Sequence, residues 1–320
     1  MKSSSDLTDF YYKKLHPTLL ELEKRRKQLA HRIIVIFILY SVMSLLFITS
    51  FENFFLSGDN FIFALFTYIG VGGALYKYLI SDYTKSFKNK VILPLIQALS
   101  KKLDYFPDNH ISSKHFTKSK IFTSHPDLVS GNDLVRGEID GISLEFSDIH
   151  AQKRHKNSKS SDSYSTIFQG LFIVTEFNKH FKGRTVILPD TAQSNFGNLI
   201  GNWFQSKNFS RDSLIKMDNV AFEKEFVVYG TDQIEARYIL SPSLMDKLLH
   251  FKKRSKHPLS ISFVGGNVYL AIAYNKDLFE PSVFHSLLKY KIAMEYITTL
   301  HLAVGIVEEL QLNQKLWSKT

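Results

Sequence analysis

Two long uncharged stretches decide the architecture: IIVIFILYSVMSLLFITSF at Ile33–Phe51 and FIFALFTYIGVGGALY at Phe61–Tyr76, with Tyr78–Ile80 prolonging the second. A helix needs about 20 mostly apolar residues to cross about 30 Å of hydrocarbon. Inside a bilayer every backbone polar group must be hydrogen-bonded within the protein, which a helix achieves by itself. The sequence therefore predicts two membrane-spanning helices, at residues 33–51 and 61–80, joined by a short turn. The alternative is a hairpin buried in the core of a soluble protein.

Basic side chains are concentrated on the outer flanks of these stretches. Seven Lys and Arg residues lie in the flank at 10–32 before the first span, and further Lys residues follow the second. The turn from Glu52 to Asn60 holds two acids and no base. Because segments rich in Lys and Arg stay on the cytoplasmic side, both termini are predicted to be cytoplasmic. Such residues also attract anionic lipid head groups. The candidate head-group contacts are Lys24, Arg25, Arg26, Lys27, Arg32, Lys85, Lys88 and Lys90.

The composition leaves room for a folded domain beside the hairpin. The chain has 320 residues, of which 44% are hydrophobic, and a net charge of +10. Residues 1–104 hold 14 Lys and Arg against 8 Asp and Glu, so the positive excess surrounds the spans and favours lipid over nucleic acid as the partner. The absence of cysteine excludes disulfides, thiolate zinc sites and a cysteine nucleophile. The first apolar run begins only at Ile33, which predicts a retained anchor and not a cleaved signal peptide.

The segments that flank the spans have helical periodicity. Arg26 interrupts the apolar stripe of the first segment, and Pro94 in the second marks either a kink or a helix restarting in its first turn. Because the hairpin returns the chain, the two stripes are predicted either to pair as a stalk or to pack on the soluble domain. The apolar positions are Leu15, Leu19, Leu22 and Leu29 before the first span and Phe87, Val91, Leu95 and Leu99 after the second.

From Ile121 the apolar period changes from that of a helix to that of a strand. Asp140-Gly141 and Gly265-Gly266 are tight hairpin signals between alternating runs. The pattern gives seven or eight short strands, one of them at 236–240, and a basic loop or disordered excursion at 150–165. Ser241 caps a helix that starts with Pro242. This helix is expected at 241–253, and two more helical features are expected at Phe196–Phe204 and 282–316.

Antiparallel strands with helices set apart predict an α+β fold. The expected parts are a membrane hairpin with flanking cytoplasmic helices at 1–104, a linker at 105–120, and an antiparallel β-rich cytoplasmic domain with a long C-terminal helix at 121–320. A small bent sheet closed by that helix, as in pleckstrin-homology-like barrels, would fit the pattern.

The soluble half resembles a known family in several blocks that follow one another in the same order. The blocks are Gly131-x-Asp133-x-Val135-x-Gly137, Phe146-Ser147-Asp148, Phe168-x-Gly170-Leu171-Phe172-Ile173, Phe177-Asn178-Lys179-x-Phe181-x-Gly183, Phe222-Glu223-Lys224-x-Phe226-x-Val228-Tyr229 and Asp232-Gln233-x-Glu235-Ala236-Arg237-Tyr238-Ile239-Leu240-Ser241-Pro242. Over about residues 120–285 the chain resembles the bacterial membrane proteins of the domain-of-unknown-function 3137 family. The resemblance implies a bacterial inner-membrane protein and brings no activity, cofactor or catalytic residue.

A search for catalytic chemistry leaves one acidic pair. Asp232 and Glu235, beside Arg237, are candidates for acid and base roles, since paired carboxylates can have separated pKa values. The simpler interpretation is a turn acid with an ion pair on an exposed strand edge. The twelve histidines form no compact metal motif, although a fold can gather distant ligands, and phosphate-binding loops and nucleophile elbows are absent from the sequence. We expect no metal and no cofactor.

Two further features concern packing. Gly70, Gly73 and Ala74 form a small-residue face that suits close helix packing in a membrane, with the first span or between protomers. The helix at Phe196–Phe204 suits either the sheet or the bilayer interface, and its scarcity of Lys and Arg favours the sheet.

These observations lead to one functional expectation. The chain is expected to be a non-enzymatic, multi-pass inner-membrane scaffold whose cytoplasmic domain binds a protein partner or lipid, or associates with itself, and not nucleic acid. The alternative is a membrane-tethered, hydrolase-like enzyme that uses carboxylates near Asp232 and Glu235. A channel is a third possibility, but we expect the spans to hold no buried charge, and intramembrane polar groups normally mark ion paths.

Overall fold

The computed structural model of the chain describes residues 11–50, 58–156, 162–177, 182–190, 212–274, 276–289 and 294–305. The chain divides into two compact units. The helical unit comprises Met1–Leu95 and Phe279–Glu295, and the sheet unit comprises Ile96–Leu278 and Tyr296–Thr320. The predicted helix at Phe196–Phe204 lies outside the described residues.

The helical unit is built on two long antiparallel helices. A π-helical turn at Tyr11–Leu15 leads into α1, His16–Ser50, and α2 covers Gly58–Phe87. A second π-helical turn, Lys88–Ile92, joins α2 to α3, Leu93–Leu99. Pro94 therefore sits in the first turn of a restarted helix, where its missing N–H costs no hydrogen bond.

Both long helices are long and apolar enough to cross a membrane, and only 6% of the apolar window of each is buried. A core helix of a soluble protein would bury most of such a window. The flanking segments run side by side within this unit, because Lys90 Nζ lies 3.0 Å from Glu21 Oε1 on α1. Of the two predicted arrangements, the structure has the paired stalk.

Nine antiparallel strands form one sheet in the described residues of the sheet unit, in the order β1-β2-β3-β4-β9-β8-β5-β7-β6. Among the described residues no pairing joins β1 to β6, so a closed pleckstrin-homology-like barrel is not observed. The mixed helix and antiparallel-sheet class is confirmed. The strands are β1 (Leu103–Phe106), β2 (Leu128–Ile139), β3 (Ile142–His155), β4 (Ser163–Glu176), β5 (Arg184–Pro189), β6 (Ser213–Ile215), β7 (Phe226–Gly230), β8 (Leu259–Val264) and β9 (Asn267–Ala273).

Both predicted hairpins are present. Asp140 and Gly141 have φ of 51° and 82° between paired Ile139 and Ile142. Gly265 and Gly266 have φ of 56° and 82° between β8 and β9. Two central residues with positive φ define the type I′ turn, whose twist matches that of the flanking strands.

The remaining helices are short. They are α4 (Ser113–Lys118), α5 (Val220–Glu223), α6 (Gln233–Ile239), α7 (Pro242–Ser255) and α8, which covers residues 294–305. The start of α7 is as predicted, since Ser241 Oγ accepts from Leu244 N and Pro242 is the first helical residue. Such capping satisfies an amide that has no partner within the helix.

The segment 105–120, predicted to be a linker, is part of the folded sheet unit. It contains the end of β1 and all of α4, and Ile111 and Phe116 are each 1% exposed. Phe116 stacks on Phe122 at 4.5 Å between ring centroids, and Ser262 Oγ donates to Ser119 O. The low periodicity of this segment reflects its short elements and not solvent exposure.

Three other predictions are corrected. Residues 236–240, predicted to be a strand, belong mostly to α6, because the cap at Asp232 outweighs a short alternating pattern. The predicted excursion at 150–165 is largely strand, since β3 continues to His155 and β4 begins at Ser163. Residues 282–289, predicted to be helical, contain no helix, and the described part of α8 covers residues 294–305.

Candidate functional site

The two long helices present an apolar surface that no described part of the protein covers. Phe63 and Phe66 on α2 are 72% and 69% exposed, and Met43 on α1 is 65% exposed. Exposed apolar surface of this extent on a soluble protein marks a contact surface. The other large side chains exposed here are Ile34, Val35, Ile38, Leu39, Val42, Leu45, Leu46, Phe47, Phe61, Ile62, Leu65, Ile69 and Val71.

The helices contact each other through aromatic and hydroxyl groups. Tyr40 and Tyr68 stack with ring centroids 4.8 Å apart, and the Tyr40 hydroxyl donates to Tyr68 O at 2.9 Å. Ser41 Oγ lies 2.8 Å from the Tyr68 hydroxyl. Gly72 faces this contact, since a Cβ there would lie at van der Waals distance from α1, 3.5 Å from Tyr40 and 3.7 Å from Phe37. These aromatic contacts were not predicted from the sequence, because uncharged hydroxyl groups do not interrupt the apolar pattern of the two stretches.

The small-residue face predicted for helix packing does not form this contact. A Cβ added at Gly70 or Gly73 would meet no atom within 4 Å, and Ala74 is exposed. Packing between α1 and α2 at these three positions is therefore corrected to packing at Gly72. Their use between separate chains stays a prediction.

Arg26, which interrupts the leucine stripe, is the centre of a buried polar cluster. Its Nε and Nη2 donate to the Glu23 carboxylate at 2.9 and 2.8 Å, and its Nη1 donates to Val283 O at 2.6 Å. Glu23 Oε2 also accepts from Leu287 N at 3.0 Å. Arg26 and Glu23 are 8% and 5% exposed. A buried ion pair offsets its desolvation only when its remaining donors and acceptors are bonded, as they are here.

The same contacts shift the pKa values of the pair. The hydrogen bond from Arg26 is the main reason that the pKa of Glu23 lies below its ordinary value, and the Leu287 amide acts in the same direction. The hydrogen bond to Glu23 likewise raises the pKa of Arg26. Both groups therefore stay charged at neutral pH.

The eight predicted head-group contacts divide by exposure. Arg26 lies in the buried cluster. Lys88 is 5% exposed and pairs with Glu280 at 2.7 Å. Because both side chains are buried, their assignment as head-group contacts is corrected. Arg25 and Lys90 are exposed and share Glu21. The remaining exposed positions are Lys24, Lys27, Arg32 and Lys85.

The predicted acid and base candidates bind backbone amides. Asp232 caps α6, because its Oδ1 accepts from Ile234 N and Glu235 N at 2.8 and 3.1 Å. The Glu235 carboxylate accepts from Lys182 N and Gly183 N, each at 2.9 Å. Arg237 donates to Lys216 O at 3.3 Å. Asp232 thus holds the start of α6, and Glu235 holds the loop at Lys182 and Gly183. Both carboxylates are hydrogen-bonded to backbone amides.

The family blocks meet across β2, β3 and β4. A Cβ on Gly131 would lie 2.1 Å from Asp148 O, and one on Gly170 would lie 2.2 Å from Ile272 O, so both positions require glycine. Asp148 Oδ2 accepts from Leu278 N at 2.7 Å. A polar cavity of about 220 Å³ lies beside these residues. The glycines of these blocks thus allow neighbouring strands to lie close together, and Asp148 forms a buried hydrogen bond with the chain after β9.

A second cavity of about 180 Å³ lies beside α4. Phe116, Phe122 and Val186 supply apolar walls, while Lys120 and Arg184 line its polar side. Arg184 forms an ion pair with Asp212, which also lines the cavity. Among the described residues, no three His, Asp or Glu side chains are grouped so as to hold a metal ion.

The comparison with protein families confirms the resemblance. Residues 166–312 match the family described as protein of unknown function (DUF3137). The DUF3137 match begins inside β4 and includes the Asp232 and Ser241 caps. The blocks around Gly131 and Asp148 lie before it, and it continues beyond residue 285, where the resemblance noted in the sequence ends.

No curated protein matches the chain. Among solved structures, the crystal structure of the mycobacterial trehalose monomycolate transport factor A, TtfA, is similar at 11% identity with a TM-score of 0.36. That similarity covers 65% of this chain and 90% of TtfA. A similarity of this size says nothing about function.

Proposed function

We propose that the protein is a non-enzymatic module of a bacterial inner membrane, anchored by α1 and α2, whose sheet unit binds a protein partner at the cytoplasmic surface. The exposed apolar surface of the two helices carries the proposal. Burying one large apolar side chain stabilises by about 1.5 to 3 kcal/mol. A bilayer supplies that burial along the whole surface, which no described residue covers.

The charges at the helix ends support the orientation. Lys24, Lys27, Arg32 and Lys85 are exposed at one end of the helix pair, whereas the connecting turn contains Glu52 and Asp59 and no base. Each Lys or Arg near an anionic leaflet contributes about 1 kcal/mol. Both termini would then lie in the cytoplasm, with the turn on the opposite side.

The hydrogen bonds of the acidic pair favour binding over catalysis. A general acid or base must reach a substrate proton at hydrogen-bond distance. Asp232 and Glu235 instead accept bonds from four backbone amides, those of Ile234, Glu235, Lys182 and Gly183. The hydrolase-like alternative has no other described residues to support it, and the proposal includes no cofactor and no nucleic acid.

Cross-linking in native bacterial membranes, followed by identification of the captured protein, tests the proposal. We expect one discrete partner, or a second copy of this chain, to be captured by wild type and equally by the Asp232→Asn/Glu235→Gln variant. Failure of both proteins to capture any partner would contradict the binding role. Loss of the cellular phenotype in the variant, with the fold intact, would favour the enzyme.

A further inference from the structure

Residues 282–289, which we call the strap, are not helical although their sequence predicts a helix. The sequence SVFHSLLK would place Val283 and Leu287 one helical turn apart. Local preference and observed conformation therefore disagree. In natural proteins such disagreements are expected at functional or strained sites.

Two side chains of α1, Glu23 and Arg26, bind the backbone of the strap. Arg26 Nη1 donates to Val283 O at 2.6 Å, and Glu23 Oε2 accepts from Leu287 N at 3.0 Å. In a helix, the Val283 carbonyl would accept from the Leu287 amide, because the two residues are four apart. The Glu23–Arg26 pair thus occupies both members of one helical hydrogen bond.

Burial reinforces this contact. Val283 and Leu287 are 3% and 2% exposed, and Phe279 just before the strap is 1% exposed. Lys88 binds Glu280, which lies between Phe279 and the strap, at 2.7 Å. Phe284, between the two buried strap residues, is 55% exposed.

The strap already has a helix cap in place. Ser282 Oγ accepts from His285 N at 3.0 Å, which is the bond that an N-cap serine makes with the third helical residue. Ser282 Oγ also lies 3.0 Å from His285 Nδ1. Residues 282–285 therefore already have the capping hydrogen bond of a helix N-terminus. The bond from the Leu287 amide to the Val283 carbonyl is missing, because Glu23 and Arg26 bind these two groups.

We infer that the strap is a conformational switch: bound to the Glu23–Arg26 pair it is irregular, and released from the pair it becomes helical from Ser282 towards α8. Release frees the Val283 carbonyl and the Leu287 amide to bond to each other. It also uncovers the stalk face that Val283 and Leu287 bury. The inference requires neither a particular membrane orientation nor a particular partner.

Alkylation of a single cysteine tests the switch, because the chain has no cysteine of its own. Val283→Cys in the full chain, in lipid nanodiscs, reports release by its rate of reaction with a maleimide. With wild-type Glu23 and Arg26 we expect protection. Adding Arg26→Met is expected to raise the rate at least about tenfold, which corresponds to about 1.4 kcal/mol. Adding Arg25→Met, an exposed neighbour that pairs with Glu21, is expected to leave the rate unchanged.

Hydrogen exchange distinguishes a switch from local unfolding. In the Arg26→Met chain, amides from Ser286 to Lys289 are expected to gain protection, and Ser282→Ala is expected to reduce that gain. Unchanged protection in β4 and β9 verifies the fold. An unchanged alkylation rate would overturn the inference, as would fast alkylation with exchange-labile strap amides.

Discussion

The Tyr40 hydroxyl donates to the backbone carbonyl of Tyr68 at 2.9 Å while the two rings stack. This contact joins the two apolar helices at a point where neither contains a charged residue. The acceptor is already within a helix, so the bond adds a second donor to one carbonyl. In the proposed bilayer, lipid would offer no competing donor, and without this bond the hydroxyl would have no partner in hydrocarbon.

Tyr40→Phe is predicted to weaken the hairpin while keeping the ring stack. Hydrogen bonds between membrane helices contribute about 0.6 kcal/mol on average and at most about 1.7 kcal/mol. A loss in this range should appear in detergent-induced unfolding followed by circular dichroism. Tyr78→Phe is the matched control, because Tyr78 is 79% exposed. Equal losses in both variants would contradict a specific contact.

A double-mutant cycle on Glu23 and Arg26 is predicted to show strong coupling. Arg26→Met alone leaves Glu23 buried without its partner, a change that costs about 3 to 5 kcal/mol in buried pairs. Glu23→Leu with Arg26→Met removes both charges and is expected to recover much of that loss. The free energy of unfolding in urea measures the cycle. Additive losses would show that the two side chains act independently.

The pH dependence of the strap follows from Glu23. Its folded-state pKa lies below the ordinary value of about 4.5, mainly because Arg26 donates to it. The resulting stability is fully present above the ordinary value and is lost as pH falls through the lowered pKa. Hydrogen exchange of the amides from Ser286 to Lys289, corrected for its intrinsic pH dependence, should stay constant from neutral to mildly acidic pH. It should slow only below that range, because the released strap becomes helical. Release between pH 6 and 8 would contradict this assignment.

Glu23→Gln provides the control for that titration. The substitution removes the titrating group, so exchange should lose its acid-dependent step. Persistence of the step would assign it to another carboxylate.

Asp232→Ala is predicted to destabilise the sheet unit by about 1 kcal/mol, the usual effect of losing an N-cap. Asp232→Asn keeps an acceptor for the amides of Ile234 and Glu235 and should be nearly neutral. Urea unfolding compares the two variants. If Asp232→Asn destabilised the protein as much as Asp232→Ala, helix capping would not account for the contribution of Asp232 to stability.

Features set by local chemistry were predictable from the sequence. The turns at Asp140-Gly141 and Gly265-Gly266 follow from residues that accept positive φ. The cap at Ser241 and the apolar spans likewise depend on near neighbours. Long-range effects were not predictable. Arg26 interrupts a leucine stripe in the sequence, and the groups that bind the Glu23–Arg26 pair, Val283 O for Arg26 and Leu287 N for Glu23, lie more than 250 residues away.

The acidic pair shows why a candidate site can be misassigned. Asp232 and Glu235 are close in sequence, and the sequence could not show that α6 starts between them. Their oxygens are taken by amides, including those of Lys182 and Gly183 on a distant loop. Glycines of the family blocks, such as Gly131 and Gly170, were visible as a pattern, but only the strand register explains why a Cβ does not fit.

Single-cysteine labelling in intact bacterial cells tests the central claim of an oriented two-span anchor most directly. Asn60→Cys lies at the start of α2 beside the turn, and Lys114→Cys is exposed on α4 of the sheet unit. The account predicts that a membrane-impermeant maleimide labels Asn60→Cys in intact cells and labels Lys114→Cys only after permeabilisation. Labelling of Lys114→Cys in intact cells, or protection of both sites until the cells are permeabilised, would contradict the anchor and its orientation.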